Sequence, residues 1–174
     1  MEKSLIVLLI AVTLYYGVNI YTDIRYRKTK NIWHLLFLLS GGVFYFTQGY
    51  PIINFIGALV LALLFGLLLE TFKITYAGDT KMCIVSAVWL SSLQGTIYIT
   101  VLGLYVFYLL IILLISYFVI IRRKGWNWTI KNQLFNIKSL IFKTSLVSER
   151  IFERFPGAVA IGIGTYLQVL YLMW

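Results

Sequence analysis

The chain is a succession of long apolar runs and short polar breaks. The runs cover residues 5–21, 32–46, 52–69, 82–93, 97–121 and 157–174, and the breaks fall at 23–31, 48–51, 70–81, 91–96 and 122–156. The runs lack the strict in–out alternation of barrel strands, and a lone segment in hydrocarbon must satisfy its own backbone hydrogen bonds. They therefore predict an all-α fold, a polytopic membrane protein with six transmembrane helices in one integral-membrane domain over residues 1–174. Helix three carries Ala58, Ala62 and Gly66 at a spacing of four, and helix six carries Ala160 and Gly164. Such small-residue faces let neighbouring helices approach closely.

Composition agrees with the pattern. Hydrophobic residues make up 61% and charged residues 12%, and the mean hydropathy is +0.90, far from the range of a soluble globular domain. The net charge of +9 raises nucleic acid as a partner, yet no stacking-plus-basic module is present. The charge is instead explained by topology. With the N-terminus outside, the inner loops hold Arg25, Arg27, Lys28 and Lys30, then Lys73 and Lys81, then the basic residues from Arg122 to Arg154, which leaves only Lys3 outside. That asymmetry places both termini outside a plasma membrane and sets the inner charge against anionic lipid headgroups. The first run lacks a small-x-small cleavage site before Tyr15, so it reads as helix one rather than a signal peptide.

Few side chains carry chemistry. Cys83 is the only cysteine, which forbids an internal disulfide or a cysteine metal cluster, and it reads as a small apolar core residue. His34, the only histidine, reads as a helix-start residue at the interface rather than a metal ligand. Asp23 and Asp79 are the only aspartates, and each stands where an apolar run meets basic residues. Taken singly, Asp79 reads as an N-terminal cap of helix four and Asp23 as a partner of Arg25 or Arg27. Taken together, two carboxylates at membrane boundaries predict one paired site. From Asp79 to Leu93 there is only about 22 Å of helix for a hydrocarbon layer of roughly 30 Å, so either Asp79 is drawn below the headgroups or the bilayer thins around it.

The segment Asp23-Ile24-Arg25-Tyr26-Arg27-Lys28-Thr29-Lys30-Asn31 resembles the first motif of the prepilin peptidase (type IV leader peptidase) family, an Asp at a helix end, a basic stretch and Ile-Pro-Asn. Ala77-Gly78-Asp79-Thr80-Lys81-Met82 resembles the second, Gly-x-Gly-Asp-x-Lys before an apolar helix. The six-span plan, Gly95, and Phe155-Pro156 leading into a Gly- and Ala-rich helix extend the likeness over nearly the whole chain. Tyr76 stands where the first glycine of the second motif is expected, and Thr29-Lys30 replaces Ile-Pro.

The resemblance implies a membrane aspartic endopeptidase with Asp23 and Asp79 as the catalytic pair and Gly78, Lys81, Arg25 and Asn31 as supporting residues. It implies a substrate as well, a pilin-like precursor whose short hydrophilic leader is cut on the cytoplasmic side just before its hydrophobic helix. An archaeal preflagellin-type peptidase shares this chemistry. Family members that also methylate the new N-terminus carry paired cysteines in an added cytoplasmic region, so this chain reads as peptidase-only, with no cofactor and no metal. Two carboxyls in one site suit metal-free amide hydrolysis, since repulsion and desolvation keep one protonated and the other ionised, supplying an acid and a base together.

In the break at 122–156, Leu134, Ile137 and Ile141 alternate with Lys131, Lys138 and Lys143, which predicts an amphipathic helix lying on the cytoplasmic membrane surface. Two readings of other classes remain: a proton-coupled transport subunit, which requires acids near the midplane, and a non-catalytic assembly scaffold. Topology is directly testable. A reporter fused after Lys28 or Lys138 is expected to read as cytoplasmic and one after Trp174 as external. A cytoplasmic C-terminus would overturn the six-span plan.

Overall fold

The computed structural model describes residues 2–26, 28–71, 74–94, 97–128, 130–131, 134 and 157–174. These form helices and no strand: α1 (Glu2–Tyr26), α2 (Asn31–Thr47), α3 (Ile52–Thr71), α4 (Ala77–Gln94), α5 (Ile97–Lys124) and α6 (Gly157–Met173). Each helix contains or closely follows one of the apolar runs. α1, α3 and α5 are long and apolar enough to cross a membrane over Ser4–Tyr26, Ile52–Thr71 and Tyr98–Ile115, while α2 and α6 are shorter apolar helices. At 17 residues each, α2 and α6 extend about 25 Å. The surface-helix reading of 122–156 falls mostly outside the described residues; 126–128, 130–131 and 134 are helical.

The helix ends depart from the apolar boundaries in one consistent way. α1 runs through Asp23 to Tyr26, and α4 begins at Ala77 and so includes Asp79. Both aspartates are thus helical residues rather than loop residues. Hydropathy marks where lipid ends, whereas a helix continues as long as its backbone bonds can form.

α4 is the centre of the bundle, packed against each of the other five helices. From Met82 to Ser92 every residue is buried except the half-buried Ile84. A helix enclosed by others need not be apolar toward lipid, and α4 carries Ser86, Ser91 and Ser92 inside. The Ser91 hydroxyl donates to the Ala87 carbonyl at 2.7 Å, and that of Ser92 to the Trp89 carbonyl at 2.6 Å. The outer helices show the reverse pattern, with Ile6, Ile10, Leu14, Leu39, Leu64 and Leu114 exposed. Apolar side chains outside and hydroxyls inside are what a lipid solvent selects.

Small residues set the close approaches. Ala58, Ala62 and Gly66 are all buried on α3, and the Tyr105 hydroxyl of α5 donates to the Ala62 carbonyl at 2.6 Å. A Cβ on Gly66 would lie 2.2 Å from Thr80 Cγ2, so α4 seats its Thr80 in the notch that Gly66 leaves. On α2, the Phe37 carbonyl accepts the indole N–H of Trp89 at 2.9 Å.

Three helices meet at one hydroxyl. Tyr16 of α1 is bonded to Ser86 of α4 and, at 2.9 Å, to Thr165 of α6. Because the Thr165 hydroxyl already donates to the Ile161 carbonyl at 2.8 Å, Tyr16 donates to Thr165 and accepts from Ser86. The ring packs against Gly162, where a Cβ would lie 3.1 Å from Tyr16 Cδ1. Replacing Tyr16 by Phe keeps the ring and removes both bonds, at an expected cost of about 1–2 kcal/mol. Thermal unfolding in detergent checks this against Tyr166→Phe, whose hydroxyl meets Thr13 on the exposed side at 2.7 Å. A Tyr16→Phe protein as stable as wild type would show that the three-helix contact contributes nothing.

Candidate active site

Asp23 stands in the last turn of α1 and Asp79 in the first turn of α4, and both reach the first turn of α6. The Ala158 N–H donates to Asp23 Oδ2 at 3.1 Å. A Cβ on Gly157 would lie 2.1 Å from Asp79 Oδ1. Two successive residues of one helix, with Cα atoms about 3.8 Å apart, therefore touch both carboxylates. The first N–H groups of a helix lack intrahelical acceptors, and the helix dipole places partial positive charge there. Any side chain at Gly157 would occupy the position of the Asp79 carboxylate.

Asp79 serves the fold and the site together. Its Oδ2 accepts the Tyr76 N–H at 3.1 Å while its own N–H donates to the Tyr76 carbonyl at 2.9 Å, a reciprocal closure of the start of α4. The sequence reading of Asp79 as a cap therefore describes one of its two oxygens. Tyr76 contributes backbone to this contact and leaves its side chain exposed, so a residue other than glycine is accommodated there.

The two carboxyls differ in surroundings. Asp23 is half-buried, whereas Asp79 is 8% exposed and lies ahead of the apolar stretch of α4. Burial pushes Asp79 from its ordinary 3.8 up to about 6; the Tyr76 N–H opposes this, and the charges of Asp23 and Glu70 reinforce it. A buried carboxyl beside two others holds its proton to higher pH because its charged form is both desolvated and repelled.

The residues around the pair knit the first motif to the second. Lys81 Nζ donates to Asn31 Oδ1 at 2.9 Å. Thr29 Oγ1 lies 3.3 Å from where a Cβ on Gly78 would be, and it shares a hydrogen bond of 2.9 Å with His34 Nε2. His34 Nδ1 in turn meets the Tyr15 hydroxyl at 2.7 Å. His34 is thus a buried link between α1 and the 28–30 segment. Lys30, at φ −88 and ψ 122, keeps an extended backbone at the start of α2, close to the conformation a proline holds. Arg25 stands apart from this set. Its guanidinium donates to the Tyr21 hydroxyl and lies 5.4 Å from the centre of the Tyr26 ring.

Sequence reasoning did not single out Gly157, Ala158, Thr29 or Glu70 as site residues. A glycine placed directly after Pro156 and a third acid at the end of the third apolar run were the available signals. Among the described residues, no group of three or more His, Cys, Asp or Glu side chains is arranged to hold a metal ion. No protein-family model, curated protein or solved structure matches the chain.

The raised affinity of Asp79 for its proton makes a stability prediction. Between its ordinary 3.8 and about 6 the folded state binds more protons than the unfolded one. The contribution of Asp79 to stability therefore falls as pH rises through that window and levels off above it. Asp79→Asn can still accept the Tyr76 N–H and has no charge to bury, so it should be the more stable protein at about pH 8, by up to about 3 kcal/mol. The difference should vanish below about pH 4. Thermal unfolding of both proteins across pH checks this; an Asp79→Asn protein that is less stable at alkaline pH would contradict it.

Proposed function

We propose that the protein is a membrane aspartic endopeptidase of the prepilin-peptidase kind, cutting a short cytoplasmic leader from a pilin-like precursor with Asp23 and Asp79. The observation that carries this reading is the convergence of the two carboxylates, from helices far apart in sequence, on the first turn of α6. Their placement at helix ends favours hydrolysis at a membrane boundary over proton transport through the midplane.

In the proposed reaction Asp79 enters protonated and Asp23 ionised. Asp23 removes a proton from a water as its oxygen attacks the scissile carbonyl carbon, while Asp79 gives its proton to the carbonyl oxygen. The proton held by Asp23 then passes to the amide nitrogen, the C–N bond breaks, and Asp79 recovers a proton as the new carboxyl group forms. No atom or charge is left over. In this reading the chain has six spans with both termini outside, as the distribution of basic residues suggests, and the chemistry lies at the inner face, where a precursor helix remains in lipid while its leader reaches the pair.

Co-expression with a candidate precursor, followed by gel shift and mass spectrometry, tests the proposal. Asp23→Asn and Asp79→Asn should each lower cleavage by about 10²–10⁴-fold with membrane insertion intact. Asp→Glu at either position should also fail, because one methylene displaces the carboxyl by about 1 Å. Normal processing by either asparagine variant would sink the assignment and leave the aspartates as structural caps.

A further inference from the structure

Glu70 has no part in the reaction above, yet it occupies a position that disfavours a carboxylate on three counts. It is half-buried in the last turn of α3, where the helix dipole repels negative charge. No basic residue accompanies it in that turn. It is also close enough to Asp79 for the two charges to repel.

The fold nevertheless holds Glu70 firmly. Its Oε1 accepts the hydroxyl of Thr80, the neighbour of Asp79 in the chain, and Thr80 is 4% exposed. Thr80 is itself fixed by the Gly66 notch one turn earlier on α3, where a Cβ would overlap its methyl group. The Thr80 hydroxyl and the Gly66 notch therefore hold the Glu70 carboxyl in place beside the pair, at a position where its charge works against the stability of α3.

We propose that Glu70 is a positioning residue of this site, pinned by Thr80 so that its charge keeps the proton of the pair on Asp79. It touches no reacting atom. The proposal deepens the peptidase reading and rests on it for its catalytic meaning. Among the described residues, the other ionisable groups around Asp79 are Asp23 from α1, Lys81 and Cys83 on α4 itself, and Tyr108 from α5. Lys81 is turned to Asn31, and α2 places His34 toward Tyr15 and Thr29. Among the described residues, Glu70 and Asp23 are thus the carboxylates whose charges act on Asp79.

The test needs no substrate. Infrared difference spectra of the full chain in lipid vesicles, titrated with acid, follow the C=O band of the protonated carboxyl. Its loss in Asp79→Asn assigns the band. Glu70→Gln can still accept the Thr80 hydroxyl and removes only the charge, so the Asp79 midpoint should move to lower pH by about half a unit or more. Thr80→Val, which frees the Glu70 carboxylate, should move it the same way by less. A Glu70→Gln midpoint equal to wild type would overturn the proposal, including the case in which Glu70→Ala alone shifts it, since that outcome reports packing rather than charge. If the midpoint moves but no precursor is cleaved, the peptidase reading fails and the coupling of Glu70 to Asp79 stands. Cleavage with an unmoved midpoint supports the peptidase reading and refutes the coupling.

Discussion

One hydroxyl, that of Tyr16, ties together the three helices that carry the site. Its partners are Ser86 on α4 and Thr165 on α6, and the spacing to the site is the same along each helix: Tyr16 to Asp23, Ser86 to Asp79 and Thr165 to Ala158 are each one heptad apart. Two turns are about 10.5 Å at 1.5 Å per residue. The hydroxyl cluster and the carboxylate pair are therefore two layers of one three-helix seam. α1 approaches the site while α4 and α6 leave it, so fixing the hydroxyl layer fixes the register of the carboxylate layer. In lipid, where apolar surface gives helices little reason to associate, a few such polar contacts and small-residue notches hold the arrangement.

The same constraint explains why the central helix is so rich in hydroxyls. α4 meets the other helices on all sides, and its serines bond either to its own carbonyls or to Tyr16. Its first turn emerges beside α6, where Asp79 closes on Tyr76 and faces Gly157. A carboxyl held in this way is poorly solvated without being isolated, the condition that lets it retain a proton at a pH where an exposed aspartate has lost its own. The candidate site and the fold draw on the same group, since the oxygen that closes the helix start and the one that faces Gly157 belong to one side chain.

The apolar runs made the helices legible, because each run long enough to matter in lipid is also long enough to be a helix. The boundaries at Asp23 and Asp79 were less so, since polar residues extend a helix beyond its apolar stretch. The two aspartates stood out by their rarity and their flanking charge. What brings them together did not, because it depends on α6: Pro156 before Gly157 marks a helix start, but not that Gly157 makes room for Asp79 or that Ala158 donates to Asp23. The small-residue face of α3 was visible, but that Gly66 receives Thr80, and thereby sets Glu70 beside Asp79, is a matter of which helices touch. Arg25 shows the opposite case, a motif position whose side chain turns to Tyr21 and Tyr26.

The most direct measurement of the central claim is the pH dependence of kcat/KM for precursor cleavage by the purified protein in vesicles, with and without EDTA. A pair that shares one proton gives a bell-shaped profile, active only while one carboxyl is protonated and the other ionised. Its alkaline limb is expected near about 6, where Asp79 releases its proton, and the whole profile is expected to be indifferent to EDTA. Activity abolished by EDTA and restored by zinc would make the aspartates ligands of a metal rather than acid and base, and would contradict the shared-proton mechanism.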